Sequence, residues 1–236
     1  MQGLFERMVD FDGSVARNIV SLRKSEDLFD DLHYGDPSLA DIATATEMAI
    51  KPDDPPTVVE RGFHYATAIL YPFRPENWLR TRFSDGRFPA WYGSTNSETA
   101  MWETGYHAMR AELAVEGVSP IVYRERAVYQ VECRGLLIDL SSKAGEYPDL
   151  LSNDYGVCQS IGQRVHQEGH PGLLAPSARL ANGVNLVAFK KSILQKPKLN
   201  FYLSYLIDTR SRTITVQRTR GKTMANLDFS STPFWE

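Results

Sequence analysis

The 236-residue chain has only two cysteines, Cys133 and Cys158. Two thiols at that separation build neither a disulfide framework nor a metal knuckle, so they read as core side chains. No uninterrupted apolar run approaches the roughly 18 to 20 residues that a membrane helix requires. The first residues, Met1-Gln-Gly-Leu-Phe-Glu-Arg7, carry both charge signs where a secretory signal would be apolar. These absences point to a globular protein of the cytoplasm that makes no membrane contact. The familiar nucleotide signatures are missing as well. There is no Gly-x-Gly-x-x-Gly after a strand pattern and no Gly-x-x-x-x-Gly-Lys-Ser/Thr, which excludes the Rossmann and P-loop phosphate cradles. Gly-x-Ser-x-Gly is also absent, so no serine has the nucleophile-elbow context of hydrolases.

Excess positive charge is lacking too. A formal net charge of −3 excludes a simple polybasic surface, and no direct nucleic-acid contact is expected. The charge is divided unevenly. Residues 1 to 60 hold thirteen acids against five Lys and Arg, whereas the remainder holds sixteen acids against twenty-one bases. A basic body suits an anionic ligand such as a dinucleotide. The acidic leader could cover that body, face a partner, or be a solvated surface.

What the chain does have is enough apolar material for one sizeable core, with 42% hydrophobic and 11% aromatic residues. In the leader, Val15, Ile19 and Leu22 recur at helical spacing, Ser25 precedes Leu28, Phe29 and Leu32, and Ser38 precedes Leu39, Ile42 and Ala43 as an N-cap. The breaker Lys51-Pro-Asp-Asp-Pro-Pro56 follows. This pattern predicts an acidic helical leader over 1–56, packed on a body spanning 57–236. Within the body, strands are predicted over 64–71, 90–93, 127–133, 136–140, 172–175, 184–189, 199–207 and 213–218, the last two forming a hairpin around 208–212. Helices are predicted over 97–112 and 154–167. So many strands with so few helices predict an α+β fold rather than regular βαβ alternation. His166 and His170 are four apart, but Gly169 and Pro171 take the second out of a regular helix and no third ligand is apparent, so no metal is expected.

Candidate chemistry concentrates in Arg82, Tyr92 and Glu103, with Ser177 far downstream. Arg82 offers planar, permanently charged donors suited to a pyrophosphate, although a lone arginine reads equally as a surface ion pair. Tyr92 ends a short apolar strand, where its ring could stack on nicotinamide or belong to the core. Glu103 lies mid-helix on one face with Tyr106, His107 and Arg110. A fixed carboxylate there can steady the positive charge that develops when a glycosidic bond to ribose breaks, or it can be an exposed helix glutamate. Ser177 follows a strand and Pro176, so its hydroxyl could reach a phosphate or ribose oxygen.

Ordered segments add weight to these single residues. Arg82-Phe83, Tyr92-Gly-Ser94, Thr99-Ala-Met-Trp-Glu103 with His107, and Leu174-Ala-Pro-Ser-Ala-Arg179 followed by Gly183-Val-Asn-Leu-Val187 resemble the successive signatures of the RES-domain family. The resemblance implies an ADP-ribosyltransferase-like fold and a bacterial toxin that consumes NAD as substrate, with no further cofactor. It also implies that Arg82, Tyr92, Glu103 and Ser177 bind and cleave NAD, and that the partners are an Xre-like helix-turn-helix antitoxin and a second copy in a homodimer. Ser84-Asp85-Gly86-Arg87 follows the Arg-Phe pair where many RES sequences have asparagine and glycine, which makes Arg87 a second candidate phosphate ligand. The acceptor stays open between phosphate and water. A protein ADP-ribosyltransferase and a non-catalytic nucleotide- or partner-binding module are the alternative readings.

Overall fold

A computed structural model describes residues 3–21, 66–219 and 221–232. Strand β1 (Met8–Val20) is followed by tight turns from Ala66 to Asn77, the short strands β2 (Arg80–Thr81) and β3 (Ser84–Asp85), β4 (Trp91–Ser94) and helix α1 (Ser97–Leu113). After these come β5 (Ile121–Asp139), helix α2 (Gly156–Gln167), β6 (Gly172–Pro176), β7 (Val184–Ala188), β8 (Leu194–Asp208), β9 (Thr213–Thr219) and β10 (Lys222–Asp228).

Eight of these strands form one sheet in the order β1-β4-β7-β6-β5-β8-β9-β10, while β2 and β3 make a separate small hairpin. β1 also pairs with β5 along its whole length, from Met8 opposite Ile138 to Val20 opposite Arg126. Together with the bridge between Ala16 and Ser94, these pairings close β1, β4, β7, β6 and β5 into a ring. β5 and β6 run parallel, whereas the ladders to β1, β7, β8, β9 and β10 are antiparallel. Long antiparallel ladders with two α-helices laid against them make the described fold α+β.

β1 corrects the helical reading of the leader over its first part. Val15 and Ile19 are four apart, and residues four apart share a face in a strand of period two as well as in a helix of period 3.6. That spacing alone could not separate the two structures. What decides it is the partner: β5 offers a full-length edge more than a hundred residues away. The leader from residue 22 to 56, and the boundary expected at 56, lie outside the described residues.

The predicted strand over 64–71 is also corrected from residue 66 onward, residues 64 and 65 lying outside the described residues. Ala66–Leu70 forms a wide π-type turn, followed by 3-10 turns at Tyr71–Phe73 and Pro75–Asn77. Pro72 and Pro75 have no N–H for a ladder and suit the start of a helical turn. The apolar residues are buried by packing instead. Ala68 and Ile69 are fully buried, and the Ala68 carbonyl accepts from Trp91 Nε1 at 2.7 Å. Two further differences concern strands. The segments expected over 127–133 and 136–140 are one strand that runs through Gly135, where a Cβ would come within 2.8 Å of Ile193 Cγ2. β10 was not foreseen at all.

Each helix holds part of the molecule in register for the site. α1 starts at Asn96, whose side chain accepts from Thr99 N at 2.8 Å, so one of the helix's orphan N–H groups is satisfied. It buries Met109 and Tyr106 against Tyr205, Ile214 and Leu227. Its C-terminal turn is tied to β5, because Glu112 accepts from Arg124 Nε at 2.8 Å and Nη2 at 2.9 Å. α2 buries Cys158, Ile161 and Val165 with Phe83, Leu173 and Val187. At Gly162 a Cβ would lie 1.9 Å from the Phe83 carbonyl oxygen, so only glycine lets α2 approach the segment that carries Arg82. Gln159 reinforces this contact by donating from Nε2 to the Thr81 carbonyl at 2.9 Å.

Candidate active site

A cavity of about 430 Å³ opens between β1, the 79–83 segment, the end of β4 and the exposed side of α1. Its charged lining is lopsided. Arg17, Arg80, Arg82 and Arg110 face a single carboxylate, Glu103.

Arg82 lines the cavity. Its Nη1 donates to the Leu150 carbonyl at 3.2 Å and the Ser152 carbonyl at 2.6 Å, and its guanidinium lies 4.7 Å from the centroid of the Tyr155 ring. A guanidinium has five N–H donors, so the same side chain can hold this loop and face a phosphate. Tyr92 borders the cavity with its hydroxyl already engaged: it donates to Thr81 Oγ1 and accepts from Phe83 N, both at 2.9 Å. Burial raises the Tyr92 pKa well above the ordinary phenol value, against those hydrogen bonds, so the group stays protonated at neutral pH. Its one hydroxyl proton is therefore already committed to Thr81 where the side chain borders the cavity.

Glu103, His107 and Arg110 line the cavity from α1 at i, i+4 and i+7 spacing. Tyr106, expected on the same face, is buried at 1% exposure and carries the Arg179 guanidinium on its ring at 3.4 Å. Glu103 Oε1 accepts from Ser177 Oγ at 2.6 Å and from Asn185 Nδ2 at 2.7 Å. His107 keeps an exposed surface by accessible area, yet it stands among many protein atoms at the cavity. Its pKa falls from 6.5 to about 4, chiefly through desolvation. Arg179, Arg82 and Arg110 also push it down, against an opposing pull from Glu103. At neutral pH the imidazole is uncharged.

Ser177 is buried behind Glu103 and does not border the cavity. Arg87 is not brought to the site either. Its side chain is 74% exposed and pairs with Asp85 of its own turn. Arg82, Tyr92 and Glu103 are thus drawn around one space, Ser177 touches it only through Glu103, and Arg87 points elsewhere. His166 stacks on Phe88 with ring centroids 4.6 Å apart. Among the described residues no group of three His, Cys, Asp or Glu is placed to hold a metal.

The RES domain matches residues 56–208. The chain belongs to the RES-domain family. No curated protein matches it. Arg82, Tyr92, Glu103 and Ser177 all lie within the matched RES segment, and so does Asn185.

One wall of the RES-domain cavity nevertheless comes from outside that segment. β1 contributes Ala16, Arg17 and Asn18. Arg17 Nη1 donates to the Tyr92 carbonyl at 2.6 Å, its guanidinium lies 5.2 Å from the Trp91 ring centroid, and its buried Nε finds no acceptor among the described residues. Burial and the neighbouring Arg126 lower its pKa to about 10, which leaves it protonated at neutral pH. Asn18 donates from Nδ2 to Thr104 Oγ1 at 3.0 Å and to the Tyr205 hydroxyl at 2.8 Å, which fixes β1 to α1 and β8. A charged residue between Val15, Ala16 and Ile19 was the sequence signal for Arg17. It was hidden because that stretch reads equally as an amphipathic helix. No helix among the described residues is long and apolar enough to cross a membrane.

Proposed function

We propose that this RES-domain protein is an NAD-degrading toxin of a bacterial toxin–antitoxin pair, built on an ADP-ribosyltransferase-like fold. In this reading it cleaves the nicotinamide–ribose bond and passes the ADP-ribosyl group to phosphate or water. The observation that carries it is the charge pattern of the cavity, with four guanidinium groups disposed about one clamped carboxylate. An NAD pyrophosphate brings two negative charges and matches the arginine wall. The C–N bond to nicotinamide breaks with both electrons leaving on the neutral nicotinamide, and positive charge develops at C1′ and the ring oxygen of the ribose. A carboxylate fixed beside that centre stabilises the charge more than it stabilises the ground state.

The geometry supports the following roles. Arg82 from the 79–83 segment and Arg17 from β1 together hold the pyrophosphate. The Tyr92 ring stacks near nicotinamide while its hydroxyl keeps the Thr81–Phe83 segment in place. Glu103 stands by the ribosyl centre. An oxygen of phosphate or water then bonds to C1′; in the hydrolytic case the attacking water releases its proton to bulk solvent. An Xre-like helix-turn-helix antitoxin would act by covering the cavity mouth, where Leu79 is 69% exposed. A homodimer belongs to the same reading, as does a cytoplasmic location with no direct nucleic-acid contact.

The deciding experiment incubates the purified protein and Glu103→Ala with NAD, with and without phosphate, and identifies the products by mass spectrometry. Glu103-dependent nicotinamide release supports the reading, and an ADP-ribose phosphate ester selects phosphate over water. Nicotinamide release that appears only with a lysate, with an ADP-ribose adduct on one host protein, would replace it by protein ADP-ribosylation. NAD binding without release would replace it by a non-catalytic module.

A further inference from the structure

The Ser177 hydroxyl has no bonding capacity left for a ligand. Its proton goes to Glu103 Oε1 at 2.6 Å, and its oxygen accepts from Arg179 N at 3.1 Å and Leu180 N at 3.0 Å. A hydroxyl has one donor and two lone pairs, so all three are used. Asn185 completes the arrangement from the other side. Its Nδ2 donates to the same Glu103 Oε1 at 2.7 Å, and its Oδ1 accepts from Ser94 Oγ at 2.7 Å. Ser94 and Asn185 are direct cross-strand partners on β4 and β7, so the backbone ladder sets their separation. The orientation of the amide follows from chemistry. An ionised carboxylate only accepts, so the amide nitrogen must face Glu103, and its oxygen is left for the Ser94 hydroxyl.

We propose that Asn185, fixed by Ser94, acts with Ser177 as a pair of positioning residues that pin Glu103 through Oε1 and leave Oε2 to face the ribosyl centre. Among the described residues no donor reaches Oε2. The inference rests on the NAD reading for its kinetic consequence, but the clamp itself does not. A glutamate side chain has three rotatable bonds and loses considerable freedom when it is ordered, so a free Glu103 would visit the productive position only part of the time. Two donors on one oxygen, supplied by β7 and by the turn after β6, remove that freedom before the ligand arrives. Misplacing a reacting group by about 1 Å costs on the order of a hundredfold in rate.

The test compares steady-state nicotinamide release by the wild-type protein, Asn185→Ala, Ser94→Ala and Ser94→Thr. Asn185→Ala is expected to lower kcat by about 10- to 100-fold while KM for NAD changes less than about twofold. Ser94→Ala should show the same pattern at smaller size, and Ser94→Thr, which keeps the hydroxyl, should recover most of the rate. A residue that bound the ligand would raise KM, and a residue that only supported the fold would not be rescued by the hydroxyl. Either result overturns the proposal, as does wild-type kcat in Asn185→Ala when Glu103→Ala is inactive. A second readout needs no turnover. In NMR spectra of the ligand-free protein the Asn185 side-chain amide protons should exchange slowly, and they should lose that protection in Glu103→Ala and Ser94→Ala. If they are protected in a protein that releases no nicotinamide, the NAD reading falls and the clamp stands. Fast exchange in the wild-type protein overturns the clamp whatever the activity.

Discussion

The two sides of the cavity are built on opposite principles. On one side Arg17, Arg80 and Arg82 supply positive charge from β1 and the 79–83 segment, and the two whose contacts are clearest are steered by backbone carbonyls: Arg17 by that of Tyr92, Arg82 by those of Leu150 and Ser152. On the other side one carboxylate oxygen is gripped by two side-chain donors from a different part of the sheet. The arginine wall is redundant, because several guanidinium groups can share a polyanion and each works over a range of positions. The carboxylate corner has no redundancy. Affinity should therefore degrade gradually when the wall is damaged, and turnover should collapse when the corner is damaged.

The largest effect tests that contrast directly. Glu103→Ala removes the one carboxylate of the cavity and should lower kcat for nicotinamide release by about 10²- to 10³-fold, the usual cost of losing a fixed electrostatic stabiliser of a transition state. NAD binding measured by calorimetry should change less than about threefold. A large loss of binding with kcat intact would erase the distinction between the two sides.

Arg82→Ala comes next and probes the wall. Loss of charge-assisted hydrogen bonds worth about 1.5–3 kcal/mol should weaken NAD binding by roughly 10- to 100-fold, with a smaller effect on kcat at saturation. Arg82→Lys should recover only part of the loss, since an ammonium cannot reproduce the planar fork. Arg17→Ala should weaken binding in the same sense. A drop in kcat with unchanged binding in either variant would move that arginine from the wall to the corner.

His107 lies at the seam, between Glu103 and the arginines. Desolvation and the nearby guanidinium groups lower its folded-state pKa from 6.5 to about 4, so between those values the unfolded chain binds a proton that the folded protein does not. The resulting stability is fully present above pH 6.5 and is lost as pH falls through 4. Its size is reduced because the ring edge meets solvent in the cavity. Thermal melts of the wild-type protein should shift down between pH 7 and pH 4.5, and His107→Gln should show a smaller shift over the same interval. Equal shifts would mean that another group carries the acid sensitivity.

How legible each side was in the sequence follows from the range of its contacts. α1 was legible from Ser97 onward because its i, i+4, i+7 face is local, and Glu103 could be placed on it with His107 and Arg110, whereas the Asn96 cap was not read. Arg82 and Tyr92 were legible as candidates, since both sit on short, well-punctuated segments. Arg17 was not, because Val15 and Ile19 satisfy both periods and the partner that decides between them, β5, is more than a hundred residues away. The role of Ser177 was only half legible. Its candidacy could be read from its motif, whereas its saturation by Glu103, Arg179 and Leu180 exists only once β6, α1 and the turn after Pro176 have met. Asn185 stood in a recognisable segment with no role attached, because the clamp spans three elements that are remote in the chain.

The smallest expected effect separates two arginines that sequence alone could not rank. Arg87 lies five residues from Arg82, yet it sits in the bend after β3, whereas Arg82 sits in the β2–β3 turn, and it does not border the cavity. There its guanidinium closes on Asp85, and its own N–H donates to Asp85 Oδ1 at 3.1 Å. The Asp85 pKa is held below its usual value chiefly by the side-chain hydrogen bond from the Arg87 guanidinium, as expected for a self-contained turn pair, and Arg87 is open to solvent while Asp85 is partly so. Exposed pairs of this kind contribute little because water and salt screen them. Arg87→Ala should therefore leave kcat, KM for NAD and the melting temperature close to wild type under conditions in which Arg82→Ala loses most of its affinity. If the two variants lost affinity equally, the anion would have to run over the outside of the turn. The wall would then extend beyond the cavity, and its contrast with the enclosed carboxylate corner would be sharper than the geometry alone implies.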